Sequence, residues 1–143
     1  LLNKIFVDAD SCNFRVIKFL QNFVLLRGVD LILVANRYLN LDMSKSTIVK
    51  VVDNVDSFIL EFVDRNSMVV TRDILLVKEL LDLQIRVMND EGQIFDINNI
   101  NYLYFRSKLN ISLGIKVRKY FSARSNKVRY SNFAINFHRL FFS

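Results

Sequence analysis

The chain has no proline and no tryptophan, only three glycines, one cysteine and one histidine in its 143 residues. A single cysteine, Cys12, excludes an internal disulfide and any cysteine-based zinc cluster. With His138 as the one histidine, the soft and borderline ligands a zinc site needs are missing. No apolar run reaches the ~20 residues that span a bilayer. The longest stretch, near Phe19 to Leu26, is broken by Gln21 and Asn22. Acids appear by Asp8 and no small-residue cleavage site follows, so no signal peptide is expected and a soluble cytoplasmic protein is the reading. The last absence is the most telling: residues 101–143 carry nine Lys and Arg and no acid. The first hundred residues carry 11 Lys and Arg against 14 Asp and Glu, so the net charge of +6 hides an acidic body and a basic C-terminal part. Such a division points to an anionic partner engaged by the C-terminal segment.

What is present reads as alternating strands and helices. The hydrophobic content of 52% and charged content of 24% are those of a globular chain, and the length fits one domain over residues 1–143. KIFVD (4–8) is short, apolar and rich in β-forming residues, a buried strand. Residues 12–26 place Val16, Ile17, Leu20, Phe23 and Val24 at helical spacing, with Arg15, Lys18 and Gln21 opposite. Gly28 suits the helix end, and Leu31 to Ala35 form a second strand. STIVKVVD is a third strand ending at Asp53, followed by a short helix over VDSFILEFV with Asp56 as its N-cap. SMVVTRD is a fourth strand ending at Asp73, ILLVKELLDL a helix and IRVMND a fifth strand. Strands without polar alternation, separated by helices, predict a mainly parallel sheet covered on both faces, a three-layer α/β/α sandwich. YLYFRSKL, LGIKVRKYF and NFAINFHRLFF are read as partly helical, with a break around Ser122 to Asn126.

The acids recur at strand ends: Asp8 and Asp10, Asp53 and Asp56, Asp73, then Asp90 and Glu91. In an open parallel sheet these converge on the carboxyl edge, where ligands bind. Carboxylates brought together repel one another unless a cation neutralises them. All-oxygen donors favour Mg²⁺ or Mn²⁺. Each acid alone also reads as a helix cap, but a cap at Asp10 leaves Asp8 unexplained. If side chains alternate from the strand onward, both point the same way.

VDADSC (7–12), LVAN (33–36), DNVDSFI (53–59), MVVTRDILL (68–76) and NDEGQIF (89–95) occur in this order and spacing. Together they resemble the YaiI/YqxD family of uncharacterised bacterial PIN-like proteins, from about Lys4 to Asn110 and more loosely to the end. The resemblance implies a PIN-like sandwich whose better-known relatives are Mg²⁺- or Mn²⁺-dependent ribonucleases. By motif, Asp8 and Asp10 match the family's first acidic pair, Asp53 and Asp56 its D-x-x-D, Thr71 and Asp73 its T-x-D, and Asn36 the polar residue ending the second strand. Asn13 and Leu75 stand where the family usually has proline.

The function expected is a metal-dependent nuclease acting on RNA. Asp8, Asp56 and Asp73 would be ligands, Asp10 a ligand or its support, Asp53 a further metal carboxylate, and Thr71 or Asn36 would orient the attacking water. Arg106, Lys108, Lys116, Arg118, Lys119, Arg124, Lys127 and Arg129 would neutralise phosphates, with Tyr102, Tyr104, Tyr120 or Tyr130 stacking on bases. Two alternatives stay open: a non-catalytic nucleic-acid-binding or regulatory protein, and a phosphoesterase acting on a smaller anion. Phe133, Phe137 and Phe141 are assigned to the core, Cys12 to a buried small position and His138 to a helix surface or core. No membrane partner is expected, and the oligomeric state is left open, a homodimer included.

Overall fold

A computed structural model describes residues 1–42, 46–114 and 126–143, the last segment with side chains from Tyr130 onward. Its strands are β1 (Lys4–Asp8), β2 (Asp30–Ala35), β3 (Thr47–Val51), β4 (Ser67–Val70) and β5 (Arg86–Met88). They form one sheet in the order β3-β2-β1-β4-β5, every pairing parallel. The helices are α1 (Phe14–Leu25), α2 (Val55–Phe62), α3 (Ile74–Asp82), α4 (Ile97–Ser112) and α5 (Asn126–Phe141).

The uninterrupted apolar runs are explained by burial on both sides. On one face Ile5, Val7, Leu31, Leu33, Met68 and Val70 meet Val16, Ile17, Leu20 and Phe23 of α1, and Phe133, Phe137 and Phe141 of α5. On the other face Phe6, Ile32, Val34, Val69 and Val87 meet Ile59 of α2, Leu76, Val77 and Leu80 of α3, and Ile100 of α4. Strand periodicity of two sends alternate residues to opposite layers, so the α/β/α sandwich expected from the sequence is the fold observed. The predicted core role of Phe133, Phe137 and Phe141 holds. Phe23 and Phe137 meet edge-to-face with ring centroids 4.8 Å apart, an arrangement the ring quadrupoles favour.

α4 packs on the α2/α3 layer and α5 on the α1 layer, so the two helices lie on opposite faces of the sheet. The basic C-terminal segment, read as one unit, is divided between two surfaces. LGIKVRKYF lies almost wholly outside the described residues, as does the expected break up to Ser125, while Asn126 already opens α5. No helix among the described residues is long and apolar enough to cross a membrane.

The order of the strands positions the site. β1 lies between β2 and β4; its connection through α1 leads one way across the sheet, and the chain later returns to β4 on its other side. The carboxyl ends of β1 and β4 therefore flank the topological switch point, where the loops diverge and leave a crevice.

Candidate carboxylate centre at the sheet edge

Asp8 is the last residue of β1 and is 8% exposed. Thr71, just past β4 and 2% exposed, donates its hydroxyl to Asp8 Oδ2 at 3.2 Å. The same Thr71 Oγ1 accepts the Asp73 amide at 3.1 Å. Thr71 thus links the ends of β1 and β4, and its hydroxyl proton is committed to Asp8. In this arrangement Thr71 positions the Asp8 carboxylate. Burial pushes the Asp8 carboxyl above the ordinary aspartate range. Hydrogen bonds from Ser11 and Thr71 oppose this, and the charges of Asp10 and Asp73 reinforce it.

Asp73 is the N-cap of α3, its Oδ1 accepting from the Leu75 and Leu76 amides at 3.0 and 3.3 Å. The cap reading of this acid is correct, and the same carboxylate also meets Asp56. Asp56 sits in the first turn of α2, but Asn54 is the cap, accepting from Ser57 N at 3.0 Å. This corrects the expected cap at Asp56 and leaves its carboxyl available. Partial burial, a hydrogen bond shared with Asp73 and the charges of Asp73, Asp8 and Glu79 push Asp56 up to about 7. Asp8, Asp56 and Asp73 therefore act on one another electrostatically, as the strand-end pattern anticipates.

Of the other predicted residues, Asp10 acts on Asp8 through its charge but is held by different partners. The chain leaves β1 in a 3₁₀ turn over Ala9–Ser11, so strand alternation stops at Asp8 and the argument that Asp8 and Asp10 point the same way fails. Asp10 does not cap α1, which Asn13 does. Its Oδ2 accepts the Asn36 amide at 2.7 Å and its Oδ1 meets Arg37 Nε at 3.3 Å, tying the end of β2 to the loop after β1. Asn36 enters through its backbone and is exposed. Asp53 is exposed between β3 and α2, and the main charges acting on Asp8 and Asp56 are not its own. Among the described residues no three His, Cys, Asp or Glu side chains are set together as they would be around a metal ion. The donor chemistry nevertheless suits a hard cation: it is oxygen only, with Asp56 pushed up by burial and then by the neighbouring carboxylates.

Arg106 and Lys108 are exposed on α4, Lys108 over the Tyr104 ring at 5.7 Å. Lys116, Arg118, Lys119 and Arg124, with Tyr120, fall outside the described residues, as do the side chains of Lys127 and Arg129. Cys12 is half-buried, its thiol pushed up by burial first and then by Asp90, while His138 lies exposed on α5.

One pair was missed. Arg72 Nε and Nη2 each donate to Asp90 at 2.6 Å, and Asp90, 3% exposed, also accepts the Asn13 amide at 2.7 Å. The pair locks the ends of β4 and β5 to the start of α1. Strand register was the signal: Val70 pairs Met88, so Arg72 falls opposite Asp90.

The chain is similar to several bacterial proteins. A UPF0178 protein of Treponema denticola is 36% identical over 107 residues, covering 73% of this chain and 69% of that relative. A UPF0178 protein of Legionella pneumophila strain Corby is 35% identical over 100 residues, covering 67% and 68%. A third, from Treponema pallidum, is 35% identical over 67% of this chain but only 56% of its own length, so the match spans little more than half of that relative. No solved structure matches. The family model described as uncharacterised, YaiI/YqxD, matches residues 6–143, and the chain belongs to that family.

Proposed function

We propose that the protein is a divalent-cation-dependent phosphodiesterase of PIN-like type whose substrate is RNA. The observation that carries this reading is the placement of buried Asp8 at the end of β1, Asp56 in the first turn of α2 and Asp73 at the N-cap of α3, at the switch point of a parallel sheet. Burial and the neighbouring carboxylates raise the proton affinity of Asp56 and Asp8, and a divalent ion is the usual substitute for a proton held in this way. Asp8, Asp56 and Asp73 would hold Mg²⁺ or Mn²⁺, which supplies a water acidic enough to attack a phosphodiester and a positive charge for the developing phosphorane oxygens. Thr71 keeps Asp8 oriented, Asp10 fixes the loop beside it, and the α3 backbone amides fix Asp73.

The test is cleavage of single-stranded RNA with Mn²⁺, comparing wild type with Asp8→Asn at matched folding. Loss of at least about a hundredfold in rate is expected, the scale of removing a group that stabilises transition-state charge. Cleavage undiminished in Asp8→Asn overturns the assignment. A metal-dependent activity confined to small phosphodiesters would keep the carboxylate chemistry and replace RNA as substrate.

A further inference from the structure

A groove of about 460 Å³ runs along the seam between α1 and α5, away from the carboxylates. Arg15, Lys18 and Arg27 of α1 line it together with Phe19, Tyr130 and His138. Neither wall carries an acid: there is no Asp or Glu from Ser11 to Val29, nor anywhere after Asp96. A solvated helix surface normally intersperses both signs, so an acid-free wall on each side is a field of one sign.

The groove also offers rings. Phe19 and Tyr130 are half-buried and meet edge-to-face with centroids 6.0 Å apart. The Arg15 guanidinium lies 5.3 Å from the Tyr130 ring centroid, and Arg27 lies 4.1 Å from that of Phe23. Cations interleaved with aromatic faces in a concave track are what a flexible polyanion with planar bases requires. A membrane surface would need the rings to project, and these are recessed.

Its upper end has a direction. Arg15 and Tyr130 also line a small cavity with Asn13, Arg72 and Asp90, at the edge where β4 and β5 end. Because α1 begins directly after the loop carrying Asp8 and Asp10, the Arg15 end of the groove lies at the same edge of the sheet as the carboxylate centre.

We infer that the α1/α5 groove binds single-stranded nucleic acid, with Arg15 and Lys18 on its phosphates and Tyr130 beside its bases. Its role as the approach to the carboxylates rests on the phosphodiesterase reading; its binding of single strands does not.

The experiment is fluorescence anisotropy of labelled oligouridine and oligothymidine of about 12 nucleotides, a length suited to one such site. It is run in EDTA, so that binding is read without cleavage. Wild type should bind single strands more tightly than a duplex of equal length or anionic phosphatidylserine vesicles. Arg15→Glu/Lys18→Glu should weaken single-strand binding by about tenfold or more at low salt. It should also reduce the log–log salt slope by about 1.4, two phosphate contacts' worth. Circular dichroism and thermal melting confirm that the variant is folded; Lys18→Glu alone, at an exposed site, should show about half the slope change. Unaltered affinity in the folded variants, no single-strand binding by wild type, or a preference for duplex or vesicles each overturns the inference. Single-strand binding that depends on Arg15 and Lys18, with no cleavage when Mn²⁺ is added, upholds the groove and defeats the phosphodiesterase reading.

Discussion

Thr71 donates its hydroxyl to Asp8 across the ends of β4 and β1, 63 residues apart in sequence, at 3.2 Å in a buried setting. A buried carboxylate deprived of such a donor is left with its desolvation cost, so the contact matters more by its loss than by its net strength. Thr71→Val keeps the shape and removes the hydroxyl. It should lower stability by about 1–2 kcal/mol in urea unfolding. Any Mn²⁺-dependent cleavage should fall in kcat more than in KM, and Thr71→Ser should restore it. A Ser variant no better than the Val variant would show that the hydroxyl alone does not carry the effect.

Asp56 gives the protein a pH dependence of definite sign. Folded, it holds its proton to about 7; unfolded, it releases it near 3.8. Between those values the folded state binds more protons, so stability falls as pH rises through the window. The raised carboxyl of Asp8 acts in the same sense. In metal-free buffer the melting temperature should therefore decline from about pH 5 to about pH 8, and Asp56→Asn should flatten the decline. At the upper end the variant should be the more stable, on the order of 1 kcal/mol after allowing for the partial exposure of the site. Mn²⁺ should raise the wild-type melting temperature most where Asp56 is ionised. A wild-type melting temperature flat across this range would contradict the assignment.

Arg72 and Asp90 form a bidentate pair in which the carboxylate side chain is only 1% exposed. Breaking such a pair from one side costs more than replacing both members, because a lone buried charge remains. Arg72→Ala should destabilise by about 3 kcal/mol or more, and Arg72→Met/Asp90→Leu should recover most of it. Urea unfolding of the three proteins decides this. A double variant as unstable as the single would mean that the Asn13 amide bond to Asp90 carries the effect.

The strands were legible because each is a short apolar run, and apolarity is what a sheet covered on both faces demands. The trio of acids was legible for the same reason: parallel strands bring their carboxyl ends to one edge whatever their order. Caps were harder. Asn54 and Asn13 fill the positions expected for Asp56 and Asp10, since asparagine and aspartate bond the helix amides equally well. The turn at Ala9–Ser11 was not legible, because nothing local distinguishes Ala9-Asp10 from a strand continuing two residues further. The split of the basic segment was hidden too. Charge along the chain records amount, while the face a helix covers depends on where the chain crosses the sheet edge.

That crossing suggests a last test. Gly92, in the turn after β5, has φ +94° and lies against α5: a Cβ there would come within 2.6 Å of the Asn132 carbonyl carbon and oxygen. The Asn136 side-chain amide on the same helix donates through Nδ2 to Gly92 O at 2.7 Å, so the turn is held directly against α5. Gly28 also has positive φ, +55°, but a Cβ would meet nothing within 4 Å. Gly28→Ala should therefore cost only the left-handed strain, about 1 kcal/mol. Gly92→Ala adds a clash with backbone that cannot rotate away, and should cost about 3 kcal/mol or more. Because α5 forms one wall of the α1/α5 groove, Gly92→Ala should also speed proteolysis within α5, while Gly28→Ala should not. Equal losses in the two variants would reduce Gly92 to a matter of φ alone and remove the argument that this turn fixes the position of α5.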